Sequence, residues 1–262
     1  MLKKLLKYDL KWCFKPLLVF YILTLFLAIV IRVVESFKQT FILLIIDKIA
    51  CGALISMIIS ILINLFMRNW VRFIQNIYKD ESYLTHTLPV TKHEIFLSKI
   101  LTAIITLLTS FIVIIICLAI ATLNENTWFF LKDSLEKSAI YFNSSVFSLI
   151  ALMIITIFFE TLFIIMSGIL GIIIGHRSNN FKIVKSIVYG FIIYIIFSAL
   201  SLGILYISGL IDPSIMSLFN NIKISSSSMK KMLTIGILEY FIYITLMYIL
   251  GNKLLNKGVN VD

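Results

Sequence analysis

Charge is what this chain has least of. Only 14% of its 262 residues are Asp, Glu, Lys or Arg, whereas 60% are hydrophobic and the mean hydropathy is +1.05. A water-soluble domain carries about 25% charged and roughly 45–50% apolar residues. There is too little polar surface here to cover a water-facing globule. The same composition, with 21 Phe and 11 Tyr, excludes disorder. Three cysteines, Cys13, Cys51 and Cys117, are too few and too scattered for a disulfide framework or a metal cluster. Two of them lie in apolar runs, where a thiol acts as a small hydrophobe. Catalytic signatures are missing as well. The chain has no Gly-x4-Gly-Lys-Ser/Thr phosphate loop, no His-Glu-x-x-His and no Gly-x-Ser-x-Gly. His86, His93 and His176 fall in polar connections, and His86 and His93 near Glu94 lack a third ligand, so no metal is expected. Catalysis by this chain alone is not expected.

What the chain has is long apolar runs. A bilayer core needs about 20 apolar residues per helix. Six stretches meet or approach that length, at 17–34, 49–67, 100–123, 146–175, 187–211 and 232–250. Backbone polar groups must be satisfied within the lipid, and no short alternating strands occur, so the spans are expected to be helices. The fourth run exceeds a bilayer and must tilt, kink or protrude. The first run is long enough to span and no small-residue cleavage site follows it, so it is expected to persist as an anchor rather than leave as a signal peptide. The fold class expected is an all-α integral membrane protein, a single membrane domain over 1–262 with six transmembrane helices.

The net charge of +10 suggests membrane orientation rather than nucleic-acid binding. Fifteen of the Lys and Arg residues lie in the N-terminal segment, 68–99, 176–185 and the tail, against eight in the other connections. Both termini are therefore expected in the cytoplasm, at the cell membrane. Within residues 1–15, Lys3, Lys4, Lys7, Lys11 and Lys15 fall within about 120° of helical arc. Leu2, Leu5, Leu6, Trp12 and Cys13 take the other side, with Asp9 the one polar intruder. This predicts an amphipathic helix in the membrane interface, ending near Pro16.

The connection 68–99 holds most of the local punctuation. Pro89 restricts Leu88 and stops a helix there. Thr91 and Glu94 form a T-x-x-E capping box, so a new helix is predicted from Lys92 into the third span. A short helix, a break and a capped helix read as a docking element for a cytosolic partner. Inside the spans, Glu160 and Glu239 are the carboxylates. An ionised carboxylate at mid-bilayer costs roughly 2.5 kcal/mol or more, so each is expected to face protein or water. They read either as the polar lining of a substrate path or as hydrogen-bonded contacts between helices. Asn64 reads as interhelical glue. Gly171 and Gly175, with Gly168 one turn earlier, would let another helix approach closely.

The stretch Glu81-Ser82-Tyr83-Leu84-Thr85-His86-Thr87-Leu88-Pro89-Val90-Thr91-Lys92-His93-Glu94-Ile95, with Lys99 following, resembles a pattern in the permease subunits of type-two ATP-binding-cassette exporters. There, an acidic residue, Leu-Pro-Val and then Lys or Arg lie between the second and third spans. The six-span topology is similar over the whole chain, the local pattern over about 20 residues. The resemblance implies that 78–88 contains a coupling helix seated in a groove of a separate cytosolic ATPase subunit. Tyr78, Glu81, Tyr83, Leu84, His86, Leu88 and Pro89 would be its coupling residues. It implies a connecting helix at 2–14 and short external helices in 212–232, although Ser225–Ser228 and two lysines there read as flexible loop. ATP and Mg would sit on the partner, with no cofactor on this chain and no nucleic acid bound. This chain would be half of a pore, completed by a second copy or a different permease. The cargo expected is a peptide, an antibiotic or another amphipathic compound. The alternative is a membrane sensor or immunity subunit that binds a peptide or partner without transport. An intramembrane enzyme would need a second acid or histidine near Glu160, and the sequence offers none.

Overall fold

The structure, a computed structural model, describes residues 1–37, 40–216, 219 and 226–258, without the side chains of His86, Glu125, Asn126 and Ser226. Its elements are α1 (Leu2–Ser36), α2 (Phe41–Ile77), α3 (Ser82–Thr87), α4 (Lys92–Thr122), α5 (Glu125–Tyr141), α6 (Val146–Gly175), α7 (Lys182–Ile211), α8 (Pro213–Met216) and α9 (Ser226–Asn256). No strand occurs among the described residues. Six of the helices, α1, α2, α4, α6, α7 and α9, are long and apolar enough to cross a membrane. The chain is thus an all-helical, multi-pass membrane protein. It divides into two compact units, Met1–Phe129 and Phe130–Asp262.

In the first unit α1, α2 and α4 pack on one another. The residues buried along α1 are Asp9, Cys13, Leu17, Tyr21, Thr24, Ala28 and Ile31, recurring every three or four positions. That is one uninterrupted helical stripe, and Pro16 lies inside it. The separate interfacial helix ending near Pro16 is therefore corrected: residues 1–15 continue into the first span as one rod. Packing on both sides of Pro16 holds the rod through a position where proline removes a hydrogen bond, a loss that membrane helices tolerate. The five N-terminal lysines stay on its exposed side. Near the α1–α2 turn the core is built from Ala28, Ile31, Ala50, Leu54, Cys117 and Ala121. Four of these six side chains are small, which lets the three backbones approach where no hydrophobic effect drives them together. Midway, Tyr21 Oη and Ser110 Oγ share a 2.7 Å hydrogen bond and Asn69 Nδ2 donates to Thr106 Oγ1 at 3.2 Å. Asn64, expected to bridge helices, instead donates to Ser60 O of its own helix at 2.9 Å. α2 outruns the predicted 49–67 at both ends.

In the second unit α6 packs on α7 and α9. A Cβ at Gly171 would overlap the backbone N and Cα of Gly190, and one at Gly175 would overlap Ser186. The Gly171 and Gly175 face is the seat of α7. Deeper along the same helices Phe163 lies within ring contact of Tyr194, Phe197, Tyr240 and Tyr243, at centroid distances of 5.7, 6.2, 5.3 and 6.0 Å. After α7, Asp212 accepts from the Ser214 N–H at 2.9 Å and from Lys231 of α9. The loop reading of 225–228 and the two lysines is corrected: Ser226 to Lys231 form the first turns of α9, with Lys231 fastened to Asp212 and Ser214. Residues 217, 218 and 220–225 of the segment 212–232 lie outside the described residues. Helix α5 occupies a connection in which the sequence predicted no helix.

Gly171→Ala is expected to destabilise the chain by about 1–3 kcal/mol through overpacking. Gly52→Ala, where a Cβ meets nothing within 4 Å, is expected to be neutral or to stabilise by about 0.5–1 kcal/mol. Thermal unfolding of both variants in one detergent reads the opposite signs. Hydrogen bonds from Lys231 first, then Ser214, hold the Asp212 carboxyl down at about 2 from an ordinary 3.8. A depressed carboxylate stabilises fully above its ordinary value, and that contribution is lost as pH falls towards about 2. A carboxyl-resolved NMR titration is expected to give a midpoint near 2, rising towards the ordinary carboxylate range in Lys231→Met.

Candidate functional site

At the end of the first unit where α1 begins, α2 ends and α4 begins, the apolar packing gives way to charge. Asp9 lies on the buried stripe of α1 and is 2% exposed. Arg72 and Asn76, one turn apart on α2, face it, as do Ser98 and Lys99 in the second turn of α4. Asp9 Oδ1 accepts from Arg72 Nε at 2.8 Å and from Lys99 Nζ at 2.6 Å, and Oδ2 accepts from Ser98 Oγ at 3.0 Å. Lys99 Nζ also donates to Asn76 Oδ1 at 2.6 Å, and Asn76 Nδ2 to Glu81 Oε2 at 2.8 Å. Arg72 Nη1 donates to the same Glu81 oxygen at 2.6 Å. Asp9, Lys99, Asn76, Glu81 and Arg72 therefore form a closed ring. It holds two carboxylates and two cations, a balance that its buried members Asp9, Arg72 and Lys99 need. Trp12 covers the ring's flank, with the guanidinium carbons of Arg68 and Arg72 each 5.4 Å from its centroid.

Glu81 carries the ring to α3. It is the N-cap of that helix, and its carbonyl accepts from Thr85 Oγ1 at 2.9 Å. Ser82 and Thr85 face inward and are buried, while Tyr83 is 82% and Leu84 71% exposed. Leu88 and Pro89 continue this outer surface. After the bend at Pro89, Thr91 Oγ1 accepts from Glu94 N at 3.2 Å and Glu94 Oε2 accepts from Thr91 N at 3.1 Å. The capping box read from the sequence is present and starts α4 at Lys92. The Thr91 backbone hydrogen bond lowers the Glu94 carboxyl below its ordinary range.

The coupling residues named from the sequence thus divide. Tyr83, Leu84, Leu88 and Pro89 form an outward surface, and Glu81 is its tie to the bundle. Tyr78 is corrected: it is 2% exposed and packs against Phe73, with ring centroids 6.3 Å apart, so it supports the site from beneath. The side chain of His86 lies outside the described residues. In the second unit, Glu239 is buried beside Ser201, and its Oε1 accepts no hydrogen bond among the described residues. Glu160, expected to face protein or water, lies on the outer surface of α6 at the middle of the helix. The described residues contain no group of three or more His, Cys, Asp or Glu able to hold a metal ion.

The residues that sequence reasoning missed are Asp9, Arg72, Asn76, Ser98 and Lys99 as one unit. The available signal was Asp9 itself, a carboxylate on the apolar side of the N-terminal helix, where burial demands a partner. Compared with protein-family models, curated proteins and solved structures, the chain finds no match.

Asp9→Asn leaves Arg72 and Lys99 buried without their shared anion and is expected to cost about 3–5 kcal/mol. Tyr83→Asp and Leu84→Asp, on an exposed face, are each expected to stay within about 0.5 kcal/mol of the parent chain. Unfolding of the purified proteins in one detergent separates the two classes.

Proposed function

We propose that the chain is the membrane-spanning permease subunit of an ATP-binding-cassette transporter. In this reading it exports a peptide, an antibiotic or another amphipathic compound with ATP hydrolysed by a separate cytosolic subunit. Both termini then lie in the cytoplasm, and a second permease half, a copy of this chain or a different one, completes the pore. The observation that carries the reading is α3: a one-and-a-half-turn helix that turns Tyr83 and Leu84 outward while Glu81 ties it into a ring of charges whose Asp9, Arg72 and Lys99 are buried. A short apolar knob on a charged, rigid mount suits seating in a groove of another protein, and the missing phosphate loop requires that the motor be that other protein.

The proposed mechanism follows from stiffness. Closure of the ATPase subunits on ATP and Mg pushes α3. The ring passes this push to α1, α2 and α4 together, because Glu81, Asp9 and the Arg72–Lys99 pair draw on all three helices. α4 runs unbroken from Lys92 to Thr122, so it moves as a rod and carries the displacement across the bilayer. The two permease halves then alternate the side to which their interface opens, driven by the different affinity of the ATPase for the two arrangements.

The test is purification of the tagged full chain from native membranes in mild detergent. A stoichiometric cytosolic protein carrying a phosphate-binding loop is expected to accompany the chain, and to be lost in the Tyr83→Asp/Leu84→Asp double variant, whose fold is intact by circular dichroism. Absence of any ATPase, in a preparation that preserves other membrane complexes, overturns the reading in favour of a non-transporting sensor or immunity subunit.

A further inference from the structure

Helix α5 has no part in the coupling reading, and its composition and attachment call for their own explanation. It begins two residues after α4 and ends four residues before α6, and both of those helices are long and apolar enough to cross a membrane. A residue reaches at most about 3.6 Å, so the ends of α5 lie no more than about 11 Å and about 18 Å from those two spans. Its start is fixed more tightly still. Asn124 caps it, accepting from Thr127 N through Oδ1 at 2.8 Å, and donates through Nδ2 to Glu35 Oε1 at 2.7 Å. Glu35 is in the last turn of α1, another span. With 17 residues, α5 is about 25 Å long and held at the level where spans end.

The faces of α5 differ in chemistry. Lys132, Asp133, Glu136 and Lys137 fall within about 140° of arc and pair with one another along the helix. Lys137 meets Asp133 at 2.6 Å and Lys132 meets Glu136 at 3.9 Å. The rest of the circumference carries no charge between Trp128 and Tyr141. It presents Trp128, 55% exposed, and Phe130, 69% exposed, with Leu131 and Tyr141 beside them. Phe129 and Ile140 are the two large apolar residues on the charged side. On the two helices that α5 joins, Leu118 of α4 and Phe147 of α6 are exposed as well.

We propose that α5 lies in the plane of the membrane interface, with Trp128, Phe130, Leu131 and Tyr141 inserted at the headgroup level and its ion-paired face towards water. Indole and phenol rings have an apolar body and a polar edge, the chemistry that concentrates them at this depth. A short amphipathic helix with mutually neutralised charges binds there through apolar area rather than through attraction to anionic lipid. This surface is independent of α3 and of any motor subunit.

Trp128 is itself the probe. The full chain and Trp128→Phe, both with the native Trp12 and Trp70, are reconstituted into phosphatidylcholine vesicles, and the difference in their fluorescence is the Trp128 signal. With lipids brominated near the headgroup end of the acyl chain, that signal is expected to fall at least about two-fold, and less with bromine at the chain end. Iodide in the water is expected to leave it nearly unchanged. Free quenching by iodide with none by bromolipid overturns the proposal in favour of a solvated helix. Silence towards both quenchers also overturns it, in favour of a protein neighbour such as a second copy of the chain. Adding anionic phosphatidylglycerol is expected to leave the result unchanged, and a strong dependence on it would overturn the charge-neutral mode of binding.

Discussion

Asp9 carries a carboxyl group into a helix seam from which water is excluded, and much of the first unit is arranged around giving it partners there. Desolvating one such charge costs several kcal/mol, and only close, hydrogen-bonded partners offset that. Those partners, Arg72, Lys99 and Ser98, come from two other helices, so the interaction exists only when α1, α2 and α4 are together at this end. Glu81 closes the ring and adds the connection between α2 and α4 to the same unit. Every member has two partners in the ring, so the loss of one leaves each of its neighbours with a single partner. The array therefore couples the three helices at this end.

The rest of the packing is apolar and achieves closeness by other means. Towards the α1–α2 turn, small side chains bring the three helices of the first unit together. In the second unit, Gly171 and Gly175 take the backbone of α7 at Gly190 and Ser186, and edge and tilted ring contacts around Phe163 fill the space further along. Within a bilayer these contacts rely on fit, since lipid chains are as apolar as leucine. α7 shows the consequence. Of its 30 residues only Ser186 and Gly209 are buried, and its aliphatic side chains face outward. Much of what looks like exposed hydrophobic surface on this chain is thus surface made for lipid.

Two exposed apolar features need a different account, because they sit beyond the spans. α3 presents a compact pair on a rigid, charge-locked mount, which suits the protein contact proposed for it. α5 presents a broad aromatic strip on a helix with internally paired charges, tethered closely at both ends. A surface at the membrane boundary that takes no force suits a helix of that kind.

How legible all this is in the sequence depends on the range over which each feature is decided. The six spans are legible because run length is local and lipid leaves a long apolar run little choice but helix. The capping box at Thr91 and Glu94 spans four residues, and the bounds of α6 at 146–175 follow from its own composition. The small-residue face at Gly171 and Gly175 can be read because a missing side chain is a property of the residue itself. Nothing local says that α1 runs through Pro16, because the deciding factor is the stripe it buries against its neighbours. Tyr78 reads as part of an exposed element until Phe73 is found above it. The partners of Asp9 lie 63 and 90 residues away, and no spacing rule links them. By itself, the sequence determined that the chain is helical and where it crosses the lipid, since solvent imposes both on each segment separately. Which charges meet, and so which helices are tied together, was decided only by the tertiary structure, because a buried ion pair exists only when distant segments are already packed.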